Sequence, residues 1–271
     1  MTIRDLTTLE EFRQVEALEK AVWGFADTDI VTSHVFTYTV FRGAVLIGAF
    51  DGDRMVGFAF AVVGLKGSKP MLWSDMAGVL PEYRGGLGFE LKLAQRRRAI
   101  ERGLDLIEWT FDPMQTLNAH FNFAKLGGVS AEYVPDFYGE IASALHKGTP
   151  TDRLVLSWNI TAPHVMRRLE QPQEMRVRAA DVGDAPVVNQ TAAEGPWRKT
   201  ATMDLTRTDR RVLLEIPVGF TEMQQQAPAL ALEWRLKLRD MFQAYLGRGY
   251  KAVDFVLQRD LGFGRYLLAR D

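Results

Sequence analysis

Met76-Ala77-Gly78-Val79-Leu80-Pro81-Glu82-Tyr83-Arg84-Gly85-Gly86-Leu87-Gly88 is the stretch on which the reading of this chain turns. The apolar run from Met71 to Val79 reads as a strand, and Pro81 ends it. Glycines then carry the chain into a helix expected from about Gly88 to Arg102, which Gly103 stops. A strand, a glycine-rich turn and a helix N-terminus together make an anion site. Glycine lets the backbone approach a bound group closely, and the first helical amides point outward unsatisfied. The helix dipole favours negative charge there, so a pyrophosphate fits. Two other phosphate motifs are excluded by spacing: GxxxxGK[ST] is absent, and Gly86-x-Gly88 lacks a third glycine because position 91 is Leu. The alternative is that these glycines only shape a strand-to-helix turn.

Working outward, Thr2 to Asp5 reads as a short strand. Thr8 with Glu11 three residues on makes a capping-box start for a helix whose apolar face is Phe12, Val15, Leu18 and Val22. A second helix follows Ser33. Ala44–Phe50 and Met55–Val63 read as strands joined at Asp51-Gly52-Asp53. In the helix after the glycine turn the expected apolar face is Phe89, Leu93, Ile100 and Leu104. Leu104–Phe111 is a strand broken by Asp112-Pro113. Thr116–Leu126 is a helix with Leu117, Phe121 and Ala124 on one face, and Leu154–Trp158 a further strand. The order β-α-α-β-β-β-α-β-α-β implies an α/β domain with a mixed sheet flanked by helices, set at residues 1–162.

After a helix and break at Pro163–Pro172, residues 163–271 read as a C-terminal α/β extension. Arg211–Ile216, Tyr250–Leu257 and Arg265–Ala269 are its strands. A helix opened by Pro228 carries Leu230, Trp234, Leu238, Met241, Phe242 and Tyr245 on one face.

The 271 residues are 47% hydrophobic and 25% charged, the balance of a globular protein with a core. A formal net charge of -1 offers no basic field for nucleic acid. The absence of cysteine removes disulfides, thiolate metal sites and a thiol nucleophile, and the four histidines form no HxxxH pair. No metal is expected. The N-terminus lacks an apolar signal core, and the longest uncharged apolar run, Met55 to Leu65, is too short for a bilayer. The expected compartment is the cytoplasm, with no membrane partner.

Val79-Leu80-Pro81-Glu82-Tyr83-Arg84-Gly85-Gly86-Leu87-Gly88 resembles the signature of the GNAT superfamily of acyl-CoA N-acyltransferases, Arg/Gln-x-x-Gly-x-Gly/Ala after a strand ending in Val. Counted back from Gly86 and Gly88, the Arg/Gln position falls on Tyr83, with Arg84 one step late. The resemblance covers residues 1 to about 160 and includes the Gly48–Gly57 hairpin. Trp109–Pro113, Asn118-Ala119, Lys125-Leu126-Gly127 and Tyr138-Gly139 are similar to a bacterial branch with a C-terminal extension, some of whose members look like N-succinyltransferases acting on amino acids.

The resemblance implies acetyl-CoA or another acyl-CoA as co-substrate, a small-molecule primary amine as acceptor, and direct attack in a ternary complex. The C-terminal extension, with Trp234-Arg235 on its amphipathic helix, could in addition serve as a homodimer contact. It implies a CoA-binding set of Ala77, Gly78, Val79, Tyr83, Arg84, Gly85, Gly86, Leu87, Gly88 and Phe89, with Asn118 on the pantetheine amides. The strand from Met76 to Val79 would supply the oxyanion amide beside a splay between two parallel strands.

Amine acylation needs a base for the ammonium proton and an acid for the thiolate. Asp75 is the first candidate base. By alternation it points with Ala77 and Val79, and an arginine-paired strand-edge Asp is its alternative. Asp112, at the end of a core strand, is the second, against a turn-building role for Asp before Pro. Glu108 is a third, or a charge-paired residue. The family's acid Tyr maps to Phe123, which cannot donate a proton, so Tyr138, or else Tyr133, takes its place. Arg96-Arg97-Arg98 reads as a solvated helix face that could also attract the 3′-phosphate. Trp234-Arg235 and Glu215 are pocket candidates with packing as the default. The competing reading is a non-catalytic module that binds CoA for regulation.

Overall fold

The computed structural model describes residues 1–139, 148–175 and 177–270; His146 lies outside the described residues. The chain is α/β, with mixed sheet and flanking helices. It forms two compact units, Met1–Trp109 and Thr110–Asp271. The boundary thus differs from the 162/163 division read from the Pro163–Pro172 break, which falls inside the second unit.

The first unit opens with β1 (Thr2–Asp5) and α1 (Leu9–Trp23). The capping box is present: the Glu11 amide donates to the Thr8 hydroxyl at 3.3 Å, and the Thr8 amide donates to Glu11 Oε2 at 2.9 Å. Burial works to raise the Glu11 pKa, but the Thr7 and Thr8 amides and Arg4 outweigh it and pull the carboxyl down to about 2. Next come α2 (Ser33–Phe41), β2 (Val45–Asp51), β3 (Arg54–Lys66), β4 (Lys69–Val79), α3 (Leu87–Glu101) and β5 (Leu106–Phe111). β1, β2, β3 and β4 pair antiparallel in sequence order, and β4 pairs parallel with β5.

The expected face of α3 needs correction. Ile100 is 41% exposed, and the helix instead buries Leu87, Leu91, Ala94 and Ala99 together with Lys92 and Gln95. The stripe at 87, 91, 94 and 99 keeps the helical period, but small alanines and the aliphatic stems of polar side chains fill it.

The second unit begins with α4 (Thr116–Ala119), which runs into a π-helical segment over His120–Lys125. One regular helix over Thr116–Leu126 is therefore corrected, and so is its face. Leu117 is 60% exposed, while Asn122, Phe123 and Ala124 are all buried. The Leu126 amide reaches back to the Phe121 carbonyl at 3.1 Å. That wider turn lets three consecutive residues face inward, which a regular helix forbids. Arg168 Nη1 donates to the Phe123 carbonyl at 2.8 Å and so satisfies one of the carbonyls near the segment's end.

The remaining elements are β6 (Val129–Val134), β7 (Arg153–Asn159), α5 (Pro163–Glu170), β8 (Asn189–Glu194), β9 (Trp197–Met203), β10 (Arg211–Pro217), α6 (Phe220–Gln226), α7 (Pro228–Leu246), β11 (Lys251–Gln258) and β12 (Phe263–Ala269). The second unit's main strands run β7-β6-β11-β12-β10, and β8 and β9 form a separate hairpin. β6, β8, β9 and α6 are absent from the sequence reading. β8 and β9 are mostly polar and exposed, so apolar alternation could not reveal them. Trp234, Leu238, Met241, Phe242 and Tyr245 on α7 are all 1% exposed or less. Each contributes about 1.5–3 kcal/mol by leaving water.

Candidate active site

Between β4 and α3 a 3₁₀ turn over Pro81–Tyr83 leads into Arg84, Gly85 and Gly86. Gly85 has φ +127°, a conformation that suits glycine alone. The first intrahelical bonds of α3 run from the Phe89 and Glu90 amides to the Gly86 carbonyl, at 2.9 and 3.2 Å. The Gly85, Gly86, Leu87 and Gly88 amides precede them and have no protein acceptor among the described residues. A Cβ at Gly85, Gly86 or Gly88 would meet nothing within 4 Å, so the bare backbone opens on space. Arg84 is exposed and forms no ion pair among the described residues. Unsatisfied amides, an open cradle and an uncommitted cation fit a pyrophosphate.

The flank of this loop is fastened. The Tyr83 hydroxyl donates to Asp51 Oδ2 at 2.7 Å, and Arg54 pairs with Glu82 at 3.0 Å. Both partners come from the β2–β3 hairpin. Tyr83, which the resemblance places on the CoA, thus has its hydroxyl engaged in holding the loop.

β4 is irregular where the chemistry is expected. Its ladder to β5 carries Leu72 opposite Ile107 and Trp73 opposite Glu108, while β4 itself runs on to Val79. Its ladder to β3 shifts register between Phe60 opposite Met76 and Ala61 opposite Ser74, which leaves Asp75 as the bulged residue. Asp75 and Ala77 are exposed and Ser74 and Gly78 buried. The bulge breaks the strict alternation that groups Asp75 with Ala77 and Val79: Ser74 and Val79 both lie on the α3 side, while Asp75 acts on Glu19 of α1. No ion pair or hydrogen bond holds the Asp75 carboxylate among the described residues. Protein packed around it nonetheless raises its pKa. An accessible carboxyl with a raised pKa suits proton transfer to and from a bound group.

A second carboxyl lies beside it that the sequence reading missed. Glu19 on α1 is fully buried. Its pKa is raised to about 7, chiefly by burial, which the hydrogen bond from the Val31 amide offsets and the charges of Asp75 and Glu16 reinforce. The available signal was its place in the stripe Phe12, Val15, Glu19, Val22: a charge at a core position. Gly78 serves the same corner. A Cβ there would lie 2.9 Å from the Trp23 ring of α1, so only glycine admits that ring against β4.

Of the remaining first-unit candidates, Glu108 and Arg98 are engaged, while Arg97 is exposed. Glu108 is buried in an ion pair with Lys66. Arg98 pairs with Asp5 at 2.8 Å and Glu101 at 3.1 Å. Lys92 is buried, donates to Ser74 Oγ at 2.7 Å, and lies 3.8 Å from the Trp109 ring centroid. Burial lowers its pKa to about 7.

In the second unit Asp112 is held by Arg235 at 2.6 and 2.9 Å and accepts from the Met114 amide at 2.9 Å. Burial pushes its pKa up, but the Arg235 charge and hydrogen bonds overcome that and hold it below the ordinary value. That geometry matches the turn-building alternative and leaves little affinity for a proton. Tyr138 is 46% exposed, with its hydroxyl 3.5 Å from Thr110 Oγ1 and Arg153 over its ring. Tyr133 donates to Asp152 at 2.6 Å, and burial and Asp152 raise its pKa above the ordinary value. Asn118 is exposed on α4. Phe123 is fully buried against Phe111 and Tyr266. Trp234 donates to the Arg198 carbonyl at 2.7 Å, and Glu215 is buried between Arg198 and Arg265. These are core interactions. Among the described residues there is no group of three or more acidic, His or Cys side chains suited to a metal, and no helix long and apolar enough to cross a membrane.

No protein-family model and no curated protein matches the chain. Solved structures do match it over part of its length. The ribosomal-protein-S18-alanine N-acetyltransferase from Escherichia coli matches at 17% identity and TM-score 0.48, covering 59% of this chain and 94% of that one. An acetyltransferase of the GNAT family from Streptococcus pneumoniae matches at 16% identity and TM-score 0.46, covering 58% and 97%. Aminoglycoside 6'-acetyltransferase type Ii matches at 17% identity and TM-score 0.46, covering 60% and 99%.

Proposed function

We propose that the chain is an acyl-CoA-dependent N-acyltransferase that moves an acetyl or succinyl group onto a primary amine of a small molecule. One observation carries the reading: the unsatisfied amides and free Arg84 at the start of α3 lie directly after a strand whose bulge exposes Asp75. The Gly85, Gly86, Leu87 and Gly88 amides and the Arg84 guanidinium would hold the pyrophosphate, favoured by the α3 dipole. The part of β4 beyond Trp73, where the β5 ladder has ended, offers Ala77 to Val79 to the pantetheine arm and acyl oxygen. When bound, acyl-CoA supplies an activated acyl thioester. Asp75 takes the proton that keeps an ammonium from acting as a nucleophile, and its raised pKa brings it nearer to that task. Asp112 has the weaker claim to this role, because Arg235 stabilises its charged form.

The test is thiol release. The protein is incubated with acetyl-CoA or succinyl-CoA and a panel of amino acids, diamines and other primary amines. With no cysteine in the chain, the background is low. Saturable, amine-dependent release is expected. CoA binding without turnover across the panel would make the chain a non-catalytic CoA-binding module instead.

A further inference from the structure

Glu19 occupies a core position of α1, yet no cation among the described residues pairs with it. Oε2 accepts from the Val31 amide at 2.8 Å, and Oε1 is buried without a partner among the described residues. A buried acceptor without a donor is destabilising, so its presence calls for a donor that the described residues do not supply. The charged groups acting on it are Asp75, on β4, and Glu16, on its own helix. Glu16 accepts from the Ser33 amide at the start of α2. Lys20, the cation next in sequence, is exposed and paired with Asp27 at 2.5 Å. Beside these carboxyls Trp23 packs against Gly78 of β4 and stacks on Phe25 at 5.4 Å, and both rings are half-buried. Acidic groups with no paired cation among the described residues, beside an aromatic wall, suit an organic ammonium.

Building on the acyltransferase reading, we propose that Glu19 and Asp75 together form the acceptor site and that the acceptor is a diamine. The charge balance leads there. One ammonium nitrogen passes its proton to a carboxylate oxygen of the pair and keeps the electron pair of the broken N–H bond as the lone pair of a neutral amine. The pair then still carries one negative charge, which a second ammonium on the same molecule neutralises. An α-amino acid would instead bring its own carboxylate against Glu16, Glu19 and Asp75, and like charges repel. Glu19, with its pKa near neutrality, is poised to exchange a proton at physiological pH. The half-buried Trp23 and Phe25 rings offer an apolar surface that suits an alkyl spacer between the two nitrogens.

Calorimetry on the full-length protein tests this. CoA is titrated first, then 1,4-diaminobutane, butylamine and alanine separately into the CoA-loaded protein at pH 7, in two buffers of different ionisation enthalpy. The diamine is expected to bind about 10-fold or more tightly than butylamine, from one added charge-assisted contact, and alanine more weakly still. Its binding should release protons to the buffer as Glu19 becomes fixed as a carboxylate. E19Q, which keeps an oxygen for the Val31 amide, should abolish that release. D75N, at an exposed position, should weaken diamine binding about 10-fold. Equal or tighter binding of butylamine or alanine, or folded variants with wild-type affinity and proton release, would overturn the diamine site. If CoA itself produces no heat, the acyltransferase reading falls, and the diamine titration still judges the carboxyl pair by itself.

Discussion

Replacing Glu19 by Gln should make the protein more stable at alkaline pH and leave it unchanged near pH 4. The folded-state pKa is raised from 4.5 to about 7, so the native state holds this proton more tightly than the unfolded chain does. Between those values the native state binds more protons, and stability falls as pH rises. Above the folded pKa the charged carboxylate costs the fold its full penalty. At about 1.4 kcal/mol per pKa unit, that penalty reaches about 3 kcal/mol. Below pH 4.5 both states are protonated and the penalty vanishes. Urea unfolding of wild type and E19Q at pH 4, 6 and 8 reads this directly. The difference in favour of E19Q should grow from near zero to about 3 kcal/mol. D75N should give part of the same gain without touching the core, because the Asp75 charge contributes to the Glu19 shift. A wild-type stability that holds level from pH 4 to 8, or an E19Q less stable than wild type at pH 8, would refute the reasoning. The predicted gain with lost acceptor binding is the trade expected where an active site stores a destabilised group.

Lys92 supplies the opposite slope at higher pH. Its pKa is lowered from 10.5 to about 7, so wild-type stability should rise through that window as the unfolded chain gives up its proton. K92M should flatten the rise in urea titrations from pH 7 to 10. In the second unit, R235M strands the buried Asp112 carboxylate and should cost about 3–5 kcal/mol, while D112N/R235M recovers part of it. Denaturant midpoints of the two variants check this. Gly78→Val forces a side chain into the space of the Trp23 ring and should cost about 1–3 kcal/mol, with a blue or red shift of tryptophan fluorescence reporting the displaced ring.

What the sequence made legible was what local rules control. Thr8 and Glu11 announce the start of α1 because both halves of a capping box lie within one turn. Gly85, Gly86 and Gly88 after a strand ending at Val79 announce the tight turn into α3, because glycine gives the backbone the freedom such a turn needs. Asp75 is a candidate from its place on the strand before the glycine turn, but the bulge breaks the alternation that groups it with Ala77 and Val79, because Ser74 and Val79 both lie on the α3 side. The rest depends on partners distant in sequence. Asp112 reads as a possible base until Arg235 takes it, and nothing near Asp112 in the chain foretells that contact. The π-helical segment at His120–Lys125 is set by the need to bury Asn122, Phe123 and Ala124 together, a tertiary demand. The α3 face is hidden from an apolar count because its buried side takes in two alanines and the polar Lys92 and Gln95, while Ile100 faces outward. Glu19 could have been found: it breaks the apolar stripe of α1, and a charge at a core position is a signal in its own right.

Titration of coenzyme A into the wild-type protein and into Gly88→Glu bears most directly on the central claim, that the start of α3 holds a pyrophosphate. A Cβ at Gly88 meets nothing within 4 Å, so the variant should fold like wild type while placing a carboxylate among the amides. Saturable heat from the wild type, with affinity at least about 10-fold weaker in the variant, is the predicted result. A folded wild type that gives no heat, or a variant that binds coenzyme A as well as wild type does, would contradict it.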